Sequence, residues 1–313
     1  MADQELRADD DADSGFEDAA SLQSTSLSSS ILNYTYENGR RYHAYRSGSY
    51  PLPNDETEQD RMDLLHHIWR TMLGGELLRK RPTNPQRILD VGTGTGIWAI
   101  ETADEYPEAI VLGTDLSPIQ PGWVPPNCSF YVDDAESDWT YEPFDLIHGR
   151  SLGGSISDWP RFYKQCFDTL RPGGLLEMQE HDAWISTIEK EMPPWTDSWN
   201  VTLNEASALF GKYLNVADKH VGWMRDAGFV EVEEQIHKIP IGSWAKHHKD
   251  LGRIHLSEML NAVEPYTLAL YTKVLQKSLD ETKVTIEMVK REFCTRKHHL
   301  YVNYRFITAK KPG

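Results

Sequence analysis

Ile88-Leu89-Asp90-Val91-Gly92-Thr93-Gly94-Thr95-Gly96-Ile97-Trp98 is the stretch whose reading decides the fold. An apolar run that ends in a glycine turn and passes into helical text is a strand, a tight loop and a helix start. Glycine is needed in such a loop because a side chain would obstruct a ligand or forbid positive φ. The helix start that follows offers free N–H groups. A dinucleotide fingerprint, G-x-G-x-x-G, would place its third glycine at position 97, which is Ile. A phosphate-binding Walker loop is excluded because no Gly-Lys-Ser/Thr follows.

The glycines are spaced G-x-G-x-G behind Asp90. This pattern resembles motif I of class I S-adenosylmethionine-dependent methyltransferases. Nineteen residues after Gly96 stands Asp115, at the end of a second strand and followed by Leu116. An acid there can accept both hydrogens of a ribose diol. After a third strand comes Asp133-Asp134-Ala135. The resemblance implies that an acid at this place meets the adenine amino group, which points to Asp134 and Ala135. A fourth strand ends in Ile147-His148, the position that by the same resemblance faces the methyl group. Arg171-Pro172-Gly173-Gly174 turns into a fifth strand.

Outward from this core, strands are predicted at 87–91, 109–114, 129–132, 144–148 and 174–180. Helices are predicted near 96–105 and 158–170. The alternation predicts an α/β fold built on a parallel sheet. Further helices are expected near 196–213 and 217–227, a strand near 229–238, helical text from 243 to 294, and a last strand at 299–307. Upstream, Asp55 and Glu58 have capping-box spacing, and Met62, Leu65, Ile68, Trp69, Met72 and Leu73 recur at helical intervals.

Residues 1–32 combine an acidic block with Ser-rich text and read as a disordered tail. Of the formal charge of −16, the first 20 residues hold −7 and the rest −9. A body this acidic is a poor match for phosphate backbones, so direct nucleic-acid binding is not expected. No apolar run of about 18 residues is present, so no membrane-spanning helix is expected. Cys128, Cys166 and Cys294 are far apart and make neither a disulfide framework nor a zinc spacing. His66-His67, His247-His248 and His298-His299 lack partners at ligand spacing, and no metal site is expected. The simplest compartment is the cytoplasm.

Longer motifs narrow the resemblance. Glu37–His43, Tyr50–Glu56, Asp60–Leu64, Thr114–Pro121 and Phe144–Arg150 are similar to the fungal LaeA-like methyltransferases, over roughly residues 33–240. The resemblance implies a Rossmann-like seven-stranded sheet with helices on both faces, an antiparallel last strand and a helical insert before it. It implies one methyltransferase domain over 33–313. Within it lie an N-terminal cofactor-covering segment and helix (33–80), a cofactor core (87–181), and lid helices with late strands (182–313). S-adenosyl-L-methionine is the implied cofactor. Asp90, Gly92, Gly94, Gly96, Asp115, Leu116, Asp134 and Ala135 are its expected contacts, with Arg41, Tyr42 and Tyr50 closing over it.

His148 is the leading general-base candidate because an imidazole titrates near neutrality and would suit a phenol or enol. His181 is a second one. Arg150, Glu180 and Trp184, at the same sheet edge, are candidates to face substrate. Family members fall into two kinds, enzymes thought to methylate small molecules beside biosynthetic genes, and nuclear regulators that act with velvet proteins. The regulator's motif I usually has Cys where this chain has Thr93. Lys80-Arg81 is also short for a nuclear-import cluster, and Lys310-Lys311 stands alone. The expectation is therefore a tailoring enzyme for O or N of a small aromatic metabolite, with a velvet-type protein partner and nuclear residence as the alternative.

Overall fold

Residues 34–313 are described by the computed structural model, and the tail read at 1–32 lies outside the described residues. The Tyr/Arg-rich stretch forms a hairpin, β1 (Thr35–Glu37) and β2 (Arg40–Tyr42). Asn38 and Gly39, at φ 50° and 80°, make the turn, since two successive positive-φ residues match the twist of paired strands. The chain then crosses toward the sheet, where Asn54 donates to the Ser117 hydroxyl at 3.2 Å.

Helix α1 (Glu56–Met72) begins where the Asp55 carboxylate accepts the Glu58 N–H at 3.1 Å. Only this half of the predicted capping box forms, because the Glu58 side chain turns inward to Arg61. The core elements follow as β3 (Arg87–Val91), α2 (Ile97–Glu105), β4 (Ile110–Asp115), β5 (Cys128–Val132), β6 (Phe144–Arg150), α3 (Trp159–Thr169) and β7 (Leu170–His181). β7 starts four residues earlier than predicted. Arg171-Pro172-Gly173-Gly174 stays in the ladder because Gly173 and Gly174 exchange backbone bonds with Lys311 and Arg171 pairs with Asp145 at 2.8 Å.

Beyond the core come β8 (Ser186–Thr187), α4 (Pro194–Phe210), α5 (His220–Asp226), β9 (Val230–Pro240), α6 (Lys249–Ala269), α7 (Leu279–Phe293) and β10 (Leu300–Lys310). The helical text of 243–294 is two helices. A π-helical turn at Leu270–Val274 ends α6, and Ser278 with Glu281 forms a full capping box that starts α7.

The strands lie in the order β5-β4-β3-β6-β7-β10, with β9 on the far side of β10. β3 to β7 pair in parallel, and β10 runs antiparallel to both β7 and β9. These are the seven expected strands and the expected antiparallel last strand. The short β8 is an eighth, paired to the start of β10 through Leu300 and Tyr301.

Alternate residues of the central strands face opposite helical layers. Ile88 and Leu146 pack with Trp98 and Ala99 of α2. Leu89 and Ile147 pack with Phe162 and Tyr163 of α3. A third cluster joins α1 to the insert through Trp69, Trp199, Val263, Tyr271 and Phe306. This last packing holds α1 and α6 over the C-terminal ends of the parallel strands. No helix among the described residues is long and apolar enough to cross a membrane.

Candidate functional site

A cleft of about 170 Å³ opens at the C-terminal ends of β3, β4 and β6, roofed by α1 and by Tyr266 of α6. The glycine loop forms its floor. Gly92 and Gly94 adopt φ 66° and 58°, backbone that L side chains rarely take. Asp90 shapes the loop from below, accepting the Thr93 hydroxyl at 2.6 Å and meeting His148 Nδ1 at 2.7 Å. Both carboxylate oxygens of Asp90 are thus committed to protein groups, so it positions the loop. Gly96 has a different duty from the one expected. It does not line the cleft, and a Cβ there would stand 2.5 Å from the Phe130 ring. The third glycine lets α2 pack against β5.

Asp115 closes the loop from the β4 side. Its carboxylate accepts the Gly94 N–H at 2.9 Å and the Ser117 N–H at 2.8 Å. Burial raises its pKa to about 6, against the pull of these backbone bonds. No basic group lies within ion-pair distance of it among the described residues. An unpaired, oriented carboxylate with free lone pairs fits a ribose diol. An ionised carboxylate accepts from both hydroxyls, whereas the protonated one spends an oxygen as donor. Affinity for S-adenosylhomocysteine should therefore rise about tenfold between pH 5 and pH 7 and level off above it, as the carboxyl ionises through a pKa near 6. Calorimetry across that range checks this, and Asp115→Asn should flatten the profile.

Leu116, Asp134 and Ala135 line the cleft. The Asp134 carboxylate is not free, since Arg46 Nε reaches it at 2.9 Å and the Glu136 N–H at 2.9 Å. Asp133 accepts the Tyr141 hydroxyl.

Of the three residues expected to close over the cofactor, Tyr50 is in the wall and Arg41 and Tyr42 are not. Arg41 turns away to Asn54 and Glu56, at 3.1 and 2.8 Å, beneath the Tyr34 ring. Tyr42 is buried under Lys273. The hairpin's arginines are held by Asp55, Glu264, Asn54 and Glu56, so only the chain after it reaches the cleft.

Sequence reasoning missed the inner face of α1. Glu58, Arg61 and His66 all line the cleft and are buried. Arg61 forks onto Glu58 at 2.6 and 3.0 Å and reaches Glu258 of α6 at 2.6 Å. The two carboxylates against one guanidinium leave one negative charge in excess beside Tyr50 and Tyr266. That excess, with aromatic faces, suits a cationic ligand. The available signal was three polar residues interleaved with Leu65 and Trp69 on one helical stripe.

His148 lines the cleft floor with no exposed surface, and its Nε2 has no hydrogen-bond partner among the described residues. Its ring is stacked on Trp98 at 3.7 Å, its Nδ1 is held by Asp90, and burial lowers its pKa. Clamped between Trp98 and Asp90, the ring is better placed to hold the glycine loop than to take a proton from an acceptor, which argues against the general-base reading. Its structural link runs through Asp90 to the glycine loop. His148→Ala should weaken S-adenosylhomocysteine binding about tenfold, the worth of one charge-assisted hydrogen bond, and leave the pH profile of kcat unchanged. Intact affinity with a lost acidic limb would restore it as a base.

Glu180 lines neither this cleft nor its neighbour. It accepts the Leu152 N–H at 2.7 Å and fixes the turn after β6, and burial raises its pKa to about 8. It is a positioning residue, which corrects its substrate assignment. His181 and Trp184 line a second cavity of about 40 Å³ with Trp199, Glu258, Tyr266 and Tyr304. Tyr266 walls both cavities. Arg150 lines the first.

A parallel sheet with a glycine loop after its first central strand, an acid after the second and the strand order above is the architecture of a class I S-adenosylmethionine-dependent methyltransferase. Residues 65–235 match the family model of a methyltransferase domain. The chain is 41% identical to methyltransferase pytC of Aspergillus terreus, with 94% of each chain covered. It is 38% identical to secondary metabolism regulator LAE1 of Cochliobolus heterostrophus, covering 88% of this chain and 94% of that one. It is 35% identical to protein-methionine methyltransferase laeA of Emericella nidulans, covering 88% and 76%. In fold it is similar to phosphoethanolamine N-methyltransferase 2 of Haemonchus contortus, solved with S-adenosyl-L-methionine, at TM-score 0.50 and 15% identity over 93% of this chain and 74% of that one. The chain belongs to the methyltransferase-domain family and, within it, to the LaeA-like group.

Proposed function

We propose that this enzyme methylates oxygen or nitrogen of a small aromatic secondary metabolite. The second cavity carries the reading. Trp184, Trp199, Tyr266 and Tyr304 give it flat apolar walls, and it adjoins the cofactor cleft at Tyr266. An aromatic acceptor finds its complement in such walls. At about 40 Å³ the cavity admits the reacting end of an acceptor, leaving the rest toward the partly exposed Trp184. The glycine loop and Asp115 would hold S-adenosylmethionine in the first cleft, where it would supply a methyl group already activated on a cationic sulfur. The protein's part is to hold the acceptor in line, exclude water and receive a proton. His181 is the proton acceptor in this reading. Burial lowers its pKa and so keeps it unprotonated, and Glu258 lies on the same cavity.

Similarity to methyltransferase pytC along 94% of both chains supports an enzymatic role. The test is metabolite profiling of a deletion strain. A compound lighter by one methyl group should accumulate, and purified protein should methylate it with labelled cofactor. No such compound, with label transferred only to protein, would overturn the small-molecule reading.

The second reading is a regulator of secondary metabolism that keeps the cofactor fold, acts through velvet-type partners and resides in the nucleus. Relatives named secondary metabolism regulator, at 33–38% identity, support it. Capture of a velvet protein by the tagged chain, with no change in any metabolite mass, would favour it.

A further inference from the structure

The cofactor cleft holds two inward-facing arginines with different partners. Arg61 has two carboxylates. Arg150 has none within 4.0 Å among the described residues. Its Nε donates to the Gln179 side-chain carbonyl at 2.9 Å and its Nη1 to His66 Nδ1 at 2.8 Å, while Nη2 has no partner among the described residues. His66 is fixed as the acceptor in this contact. Its Nε2 donates to Glu101 at 2.9 Å, and burial beside Arg150 and Arg70 lowers its pKa to about 3, so Nδ1 keeps its lone pair. The Trp69 ring lies 5.8 Å from the guanidinium. Arg150 is therefore oriented on three sides by neutral groups and left without a counter-ion. Burial lowers even this guanidinium, to about 10, although Asp90, Glu177 and Glu101 act on it from beyond ion-pair distance. With those carboxylates out of contact, the unpartnered Nη2 is the position that a ligand anion would complete.

Register locates that anion. Val91 pairs with Gly149, so Arg150 stands one residue further along β6, beside Gly92. Asp115 ends β4, on the opposite side of β3. Adjacent strands are about 4.8 Å apart, which separates the two by roughly 10 Å across the glycine loop. A nucleoside whose diol is held at Asp115 extends across Gly92–Gly94 toward β6. The one anionic group of S-adenosylmethionine is the carboxylate of its amino-acid arm, since the sulfur is cationic and the ribose and adenine are neutral.

We propose that Arg150 receives the cofactor's α-carboxylate, with Gln179 and His66 holding the guanidinium in place for it. Arg150 is then a cofactor residue, not the substrate residue the sequence marked. The inference rests on the methyltransferase reading.

Calorimetry with three nucleosides tests it. Wild-type protein should bind S-adenosylhomocysteine at least about tenfold more tightly than its decarboxylated analogue, which lacks only the carboxylate. It should also prefer S-adenosylhomocysteine to 5′-methylthioadenosine, which lacks the whole arm. Arg150→Gln should lose about tenfold or more in affinity for S-adenosylhomocysteine and leave that for the other two unchanged. Equal wild-type affinity for S-adenosylhomocysteine and its decarboxylated analogue overturns the proposal without any variant. So does an Arg150→Gln protein that keeps the wild-type ratio, including one that loses only affinity for an acidic acceptor. Failure of the wild type to bind any of the three would instead overturn the cofactor site itself.

Discussion

Gly94→Asp is expected to abolish S-adenosylhomocysteine binding, with a loss of at least about a hundredfold, the order expected when a buried charge is left unpaired in a ligand site. Three effects act together. Gly94 has φ 58°, which a substituted residue adopts only under strain. A backbone shift that relieves the strain would move the N–H that bonds Asp115 at 2.9 Å. A carboxylate added here would stand beside the Asp115 carboxylate and within the space that the ligand needs. The new Cβ itself lies 3.2 Å from the flexible end of Met62, so packing can yield and the fold should persist. Calorimetry reads the affinity, and the melting temperature reports whether the fold is intact. Unchanged affinity in a folded variant would refute the assigned site.

Arg61→Ala should lower stability by about 3–5 kcal/mol, among the largest effects of any single change here. It strands Glu58 and Glu258, each about 2% exposed, with no counter-ion. It also unties α1 from α6, the two helices that roof the cleft. Chemical denaturation measures the loss. The triple change Arg61→Met, Glu58→Gln and Glu258→Gln should regain most of it, because it removes the charges together and not one at a time. A loss below about 1 kcal/mol would mean that the cluster is effectively solvated, as surface pairs are.

The two variants separate the layers of the molecule that sequence and structure make visible. Ile88–Trp98 displays a strand, a loop and a helix start because their requirements are local. Apolar alternation, positive-φ glycines and a helix N-terminus each leave a mark within a few residues. Asp115 and Asp134 are legible for a related reason, since an acid at the end of a parallel strand has a fixed place on the sheet edge. The late strands are legible as apolar runs, but β7 extends further than its glycines indicate, because pairing with Lys311 is a contact between distant parts of the chain.

The errors fall where residues depend on such distant partners. Gly96 looks like a ligand glycine in the sequence, and only Phe130 on β5 shows it to be a packing glycine. His148 ends a strand as a catalytic base might, but Trp98 and Asp90 enclose it. Arg41 and Tyr42 stand in a motif beside the cleft, yet the hairpin directs them elsewhere.

By itself, then, the sequence determined the α/β sheet, the glycine loop and the acids at the strand ends, because backbone conformation and strand ends are encoded by neighbours. Tertiary structure alone decided that α1 and α6 meet through Glu58, Arg61 and Glu258, that Tyr266 divides two cavities, and that Arg150 has no counter-ion in contact among the described residues. Burial and ion pairing are properties of surfaces brought together from some 200 residues apart, such as Arg61 and Glu258, and no local pattern records them.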